Sequence, residues 1–125
     1  MKTTVNNPDA VPPLPVYSHA TICNGMVYVS GSIGCDKEYK LQGDVKDQTR
    51  AAIGNMRKIS QAAGADFENV VKVNVYLTNI QKDFPLMNEV YHEHFPTNPP
   101  ARTCIGVAAL PLGAEVEVEC IAEKP

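Results

Sequence analysis

The last third of the chain, Pro100 to Ala122, most narrows what this sequence can fold into. Two runs alternate apolar and polar residues on either side of Leu110-Pro-Leu-Gly113. Alternation with period two marks strands with one buried face, and a Pro/Gly break between two such runs reads as a β-hairpin. In the first run Ile105 and Val107 point one way, and Arg102, Cys104, Gly106 and Ala108 the other. In the second, Val116, Val118 and Cys120 oppose Glu117 and Glu119. Hydrophobic pattern sets strand register, so pairing the apolar faces predicts one surface carrying Arg102, Cys104, Glu117 and Glu119. A fixed cation, small neighbours and two carboxylates suit a small-molecule site.

Upstream, the pattern alternates between strand and helix periods. Residues 1–15 hold four of the ten prolines and predict an extended arm on the surface. Asn24-Gly25 between two apolar runs is a hairpin turn, which predicts strands at about 19–23 and 26–31. Ser30-Gly-Ser-Ile-Gly34 leaves the second strand through glycines. Backbone N–H groups there can approach a ligand closely, although on spacing alone a plain turn is favoured. Val45, Thr49, Ala52, Ile53, Met56, Ile59 and Ala63 recur at helical spacing, with Asp44 as cap and Gly64 as stop. Asn69–Thr78 reads as a strand with Val71, Val73, Val75 and Leu77 on its apolar face. A second helix is predicted over about 83–95, with Pro85 in its first turn. The order is β-β-α-β-α-β-β, an α+β chain with a mixed sheet and two helices on one face. The other sheet face would gather Tyr28, Ser30, Lys72, Asn74, Tyr76, Arg102, Cys104, Glu117 and Glu119. It is too polar for a helix and too apolar at its rim for water, so it is expected to meet another subunit, with the site at that boundary.

Length and charge exclude several classes. At 125 residues the chain is expected to form a single domain, 1–125. A net charge of −3, no basic run and no aromatic stacking series argue against dedicated nucleic-acid binding. No segment approaches the roughly 20 apolar residues of a membrane span, and the N-terminus lacks the apolar core of a secretory signal. A cytoplasmic location is the expectation, or a mitochondrial one where a cleaved leader is missing. The four cysteines, Cys23, Cys35, Cys104 and Cys120, form no Cys-x-x-Cys pair and read as free thiols. Cys104 lies beside the candidate chemistry; a packed small residue is favoured over a nucleophile, because no histidine base is placed near it. His92 and His94 point to different helix faces and make poor joint metal ligands.

The chain resembles the RidA family, also called YjgF, of reactive-intermediate deaminases, from about Tyr17 to Ala122. The most specific match is Pro100-Ala-Arg-Thr-Cys104, then Leu110-Pro111 and Glu117-Val-Glu119. Tyr17-Ser-His-Ala20, Val29-Ser-Gly31 and Asn88 within Phe84–Tyr91 also match. The Tyr-Ser-His-Ala and Ala-Ala-Leu-Pro-Leu-Gly runs are similar to eukaryotic, particularly fungal, members. The resemblance implies a chorismate-mutase-like fold and a homotrimer with three ligand clefts between subunits. It implies hydrolysis of 2-imino acids, such as 2-iminobutanoate and 2-iminopropanoate, to 2-oxo acids and ammonia, with no cofactor and no metal.

On that resemblance Arg102 anchors the substrate carboxylate, a task its planar guanidinium suits. Glu117 matches the water-holding glutamate. Tyr17, Ser30, Gly31, Asn88 and Cys104 line the cleft, and Phe84 supplies an apolar wall. Hairpin geometry alone places Glu119 nearer Cys104 and favours it as the acid, so the two glutamates compete. Two departures stand out. Many members carry Ser-Gly-Gln-Ile-Pro where this chain has Ser30-Gly-Ser-Ile-Gly34, and the Phe95–Pro100 connection is shorter than in bacterial members. Two other functional classes compete with the enzyme: an endoribonuclease or translation inhibitor, and a non-catalytic trimer that binds metabolites or acts like a chaperone.

Overall fold

The computed structural model describes all 125 residues, Met1–Pro125. The proline-rich arm is not wholly irregular. Its Thr3–Val5 segment forms strand β1, pairing antiparallel with β2 (Ala20–Cys23) so that Thr4 faces Thr21. Asn24 and Gly25 take φ of 51° and 74°, the doubly positive turn that matches strand twist. This turn delivers β3 (Met26–Ile33) antiparallel to β2.

Helix α1 spans Val45–Ala62. The Asp44 carboxylate accepts the Asp47 N–H while the Asp47 carboxylate accepts the Asp44 N–H, so two otherwise orphaned donors are satisfied at once. Gly64 at φ 90° follows the helix. Strand β4 is Val70–Leu77, α2 is Ile80–His94, β5 is Ala101–Gly106 and β6 is Val116–Glu123. Helix α2 starts three residues earlier than the pattern predicts, capped by Asn79, whose side chain accepts the Lys82 N–H. Pro85 is therefore its sixth residue, not part of its first turn.

The six strands run in the order β1-β2-β3-β6-β4-β5. All neighbours are antiparallel except β4 and β5, which are parallel through the α2 crossover. The terminal hairpin expected from the sequence does not exist: β4 lies between β5 and β6 and takes the ladder bonds of both. Nine residues, 107–115, separate the two strands. That is more than a hairpin loop needs and enough to step across the end of β4. Val107 N–H donates to Leu77 O on the way over, and Thr78 N–H to Glu115 O on the way back.

The core lies between one sheet face and the two helices. Val27, Val73, Val75, Leu77, Val116, Val118 and Ala122 are fully buried there against Ala52, Ile53, Met56 and Met87. A bulge between Val70 and Lys72 in the β4–β6 pairing turns Val71 out to solvent, 44% exposed, and buries Val70 in its place. The open face carries Tyr28, Asn74, Tyr76, Glu117 and Glu119, as the pattern predicts. It does not carry Arg102 or Cys104. Arg102 is in register with Val73 and Cys104 with Val75, so both point toward the helices. Ile105, expected in the core, points to the open side and is 46% exposed. Alternation fixes which residues share a face within one strand; the partner strand decides which face that is.

Candidate active site

Two clusters of candidate residues emerge, on opposite sides of the sheet. The first is built by α2 over the edge strand β5. Phe84, Asn88 and Tyr91 are spaced four and three residues apart, so they share one helix face. Arg102 reaches up into that face. Its Nη1 donates to Asn88 Oδ1 at 2.7 Å and lies 3.9 Å from Met87 Sδ. The guanidinium carbon sits 4.7 Å from the Tyr91 ring centroid and 5.6 Å from that of Phe84, within cation–π range. Tyr91 in turn stacks on Phe95 at 4.8 Å, and Phe95 on Phe67 at 4.7 Å. The protein engages only Nη1 by hydrogen bonds, so the rest of the fork can meet a carboxylate.

Cys104 lies two residues on, on the same side of β5. Burial raises its thiol above the ordinary value, and the Arg102 charge offsets only part of that. A thiol held in its neutral form is a poor nucleophile, which agrees with a packing role.

The second cluster surrounds the far end of β3. Between the Val29–Cys120 and Ser32–Val118 pairs, β3 has two residues, Ser30 and Gly31, where β6 has one, Glu119. This is a β-bulge, a device common beside active sites because it re-aims side chains. Ser30 N–H donates to His19 O, and Ser30 Oγ donates to Ser18 O at 2.6 Å. These bonds fasten the Tyr17–His19 segment to the bulge. Glu117 lies directly over Gly31: a Cβ at position 31 would fall 2.8 Å from Glu117 Oε2. Tyr17, Ser30, Gly31 and Glu117 all line one cavity of about 410 Å³, roofed by the N-terminal arm.

The two glutamates differ in their surroundings. Glu119 accepts a short hydrogen bond from Tyr76 Oη and another from Asn74 Nδ2 at 3.3 Å. That carboxylate pushes the Tyr76 hydroxyl up to about 12, ahead of burial. No hydrogen bond from the chain engages Glu117. Burial first, then the neighbouring Glu119 charge, pushes its carboxyl above the usual carboxylate range. A half-buried carboxylate with free lone pairs and a raised affinity for protons is suited to holding and activating water.

The clusters do not meet within one chain. Arg102 and Glu117 stand on strands separated by β4, about 10 Å apart across the ladder, and on opposite faces. Along the strands they are offset by three residues, from Val73 to Tyr76, or about another 10 Å. The expected surface holding Arg102, Cys104, Glu117 and Glu119 together is thus replaced by two half-sites. Tyr91 and Met87, which touch Arg102, are not among the site residues expected from the sequence. Their spacing with Asn88 carried the signal.

A mixed six-stranded sheet with two helices on one face, an arginine cradled by the second helix and an acid above a strand bulge, defines a recognisable class of α+β proteins. The crystal structure of yeast Mmf1 superposes with a TM-score of 0.95 at 37% identity, covering 100% of both chains. That of E. coli TdcF with bound serine superposes with a TM-score of 0.91 at 30% identity, covering 98% of this chain and 99% of that one. Residues 7–124 match the family described as endoribonuclease L-PSP. A human protein named 2-iminobutanoate/2-iminopropanoate deaminase is 41% identical over 122 residues, spanning 96% of this chain and 86% of the human one. The chain belongs to the RidA (YjgF, L-PSP) family.

Proposed function

We infer that this protein hydrolyses 2-imino acids, 2-iminobutanoate and 2-iminopropanoate among them, to 2-oxo acids and ammonia. The observation that carries this reading is the pair of half-sites: a cradled Arg102 with most of its fork free, and an unpaired, half-buried Glu117 over Gly31. Each lacks what the other supplies. A homotrimer with clefts between subunits brings them together. The α2–β5 side of one copy, with Arg102, Asn88, Phe84 and Cys104, meets the Tyr17–Ser30–Gly31–Glu117 side of the next. Such a head-to-tail contact closes into a ring when the rotation allows. Tyr28, Val71 and Ile105, between 44% and 46% exposed on or beside the open sheet face, supply the apolar surface such an interface buries.

In that cleft Arg102 binds the substrate carboxylate through a bidentate pair. Glu117 accepts a proton from water as the oxygen adds to the imine carbon and passes that proton to the imine nitrogen, which becomes an amine. The resulting tetrahedral carbinolamine collapses: Glu117 takes the hydroxyl proton and delivers it to the nitrogen, the C–N bond breaks, ammonia leaves and the C=O of the 2-oxo acid forms. Water is consumed and no electrons are exchanged with an outside partner. Asn88 holds Arg102 in place, and Tyr17 and the Ser30–Gly31 backbone wall the substrate.

The reading is tested by supplying 2-iminobutanoate from threonine with a threonine dehydratase and following 2-oxobutanoate release. Added protein is expected to accelerate release well above uncatalysed hydrolysis, and Arg102→Ala to remove the acceleration. Equal rates with and without the parent protein would overturn the reading.

A further inference from the structure

The open sheet face carries two carboxylates whose hydrogen bonds do not follow the ladder. On β4, Asn74 stands directly across from Glu119, and Tyr76 directly across from Glu117. Asn74 bonds the residue it faces, its Nδ2 donating to Glu119 Oε1 at 3.3 Å. Tyr76 does not: its hydroxyl donates diagonally, onto the same Oε1 of Glu119. A diagonal neighbour across an antiparallel pair lies about 7–8 Å away, within reach of an aromatic side chain.

Two donors from β4 thus converge on one oxygen of Glu119, and neither bonds Glu117. The bond to Glu119, more than burial, pushes the Tyr76 hydroxyl up to about 12. It therefore keeps its proton wherever a carboxylate titrates. Glu117 and Glu119 stand two residues apart on β6, roughly 7 Å along the strand and on the same face. Like charges that close oppose each other's ionisation.

The other titratable groups around the pair are engaged elsewhere or set further off. Lys72 on β4 donates from Nζ to Thr103 Oγ1 at 2.8 Å, toward β5 and away from β6. Tyr28 on β3 is in register with Ile121, two residues beyond Glu119. Glu123 lies at the exposed end of β6. Tyr17, His19, Cys35 and Tyr39 share the cavity that Glu117 lines. Of these, His19 bonds Asn7 N–H and Val11 O, and Tyr39 donates to Pro12 O, so both serve the arm.

Resting on the deaminase reading, we propose that Tyr76 is a positioning residue of the site, holding Glu119 against β4 so that Glu117 is the one acid of the pair free to exchange protons with water and substrate. Asn74 is the second arm of this clamp. With the clamp closed, the first proton taken up by the pair goes to Glu117, the group that must pass it to the imine nitrogen. With the clamp open, two coupled carboxylates share that proton.

The test compares pH profiles of kcat for imine hydrolysis by the parent, Tyr76→Phe and Glu119→Gln, each scaled to its own plateau. Changes in the imine itself with pH are common to all three and cancel. One pH unit below its acid-limb midpoint, the parent keeps about a tenth of its plateau. Glu119→Gln, with the neighbouring charge gone, is expected to keep about threefold more there or better. Tyr76→Phe, in which Glu119 can take the proton instead of Glu117, is expected to fall between the two. A loss of packing alone would scale kcat equally at every pH and leave the midpoint where it was. An acid limb of either variant that superimposes on the parent's, or moves to higher pH, overturns the proposal. Carboxyl-carbon NMR of the parent decides it where a variant does not fold: as pH falls Glu117 is expected to take up a proton before Glu119, and the reverse order overturns the proposal. A parent that hydrolyses no 2-imino acid would instead remove the deaminase reading, and this role with it.

Discussion

Arg102 and Glu117 project from opposite faces of the same sheet, on strands that flank β4. Arg102 is clamped beneath α2 by Asn88 and Tyr91. Glu117 stands over the β3 bulge, half-buried and with no hydrogen-bond partner from the chain. No side-chain rearrangement within one protomer joins them, because the sheet itself is in the way. Two groups separated in this manner can act on one substrate only if a second copy presents one of them.

The Arg102 cradle makes a graded expectation. Arg102→Lys keeps the charge but loses the planar fork and the stack on Tyr91 and Phe84. Losing charge-assisted hydrogen bonds costs about 1.5–3 kcal/mol, so kcat/KM should fall on the order of 10–100-fold. The loss should appear chiefly as a raised KM, since the carboxylate is bound in ground and transition states alike. An unchanged KM in steady-state assays would count against carboxylate anchoring.

The two glutamates separate by their partners. Glu117→Gln should lower kcat by 100-fold or more, in the range expected for removing a general base. Glu119→Gln keeps an acceptor for Tyr76 and should retain most turnover. Steady-state rates of both variants decide it, and the reverse order would reassign the water-holding acid.

Titration of Glu117 carries a sign as well. Its carboxyl is held above the usual carboxylate range by burial and by Glu119. As a base it must be ionised, so kcat should fall as pH drops through that raised value. For stability the direction is opposite. The folded state binds the Glu117 proton more tightly than the unfolded state, so this contribution is full below the unfolded value and is lost as pH rises through the folded one. Glu117→Gln should therefore melt no lower than the parent at pH 7 while being inactive. A large fall in Tm would show that the ionised carboxylate stabilises the fold.

Two glycines on the β3 exit should behave differently. A Cβ at Gly31 meets the movable end of Glu117 at 2.8 Å, whereas one at Gly34 meets the backbone of Gln48 at 2.1 Å. Gly31→Ala should displace the acid and cut kcat with little change in Tm. Gly34→Ala forces backbone apart and should destabilise by about 1–3 kcal/mol. Paired melting curves and rates test this, and equal melting losses would contradict it.

Much of the architecture was legible because its signals are local. The Asn24-Gly25 turn, the Asp44 cap and the spacing from Val45 to Ala63 placed β2, β3 and α1 nearly where they lie. Periodicity also separated Glu117 and Glu119 from Val116, Val118 and Cys120. It could not say that β5 pairs with β4 instead of β6, because strand alternation carries no information about the neighbour. That one unseen pairing inverted the face assigned to Arg102 and Cys104. The bulges at Ser30–Gly31 and near Val71 were equally silent, since each depends on a mismatch with a partner strand. The family resemblance named Arg102, Glu117, Tyr17 and Asn88 without locating them. The strand order is what splits them into two half-sites.

The most direct test of the account mixes two inactive variants. Arg102→Ala and Glu117→Gln proteins are unfolded together, refolded at equal amounts and assayed for 2-imino acid hydrolysis. If each cleft takes Arg102 from one subunit and Glu117 from the next in a trimer, random reassembly restores about one cleft in four with both native residues. Activity near a quarter of the parent's is the expected result. Activity no higher than the average of the two variants alone would contradict a shared cleft.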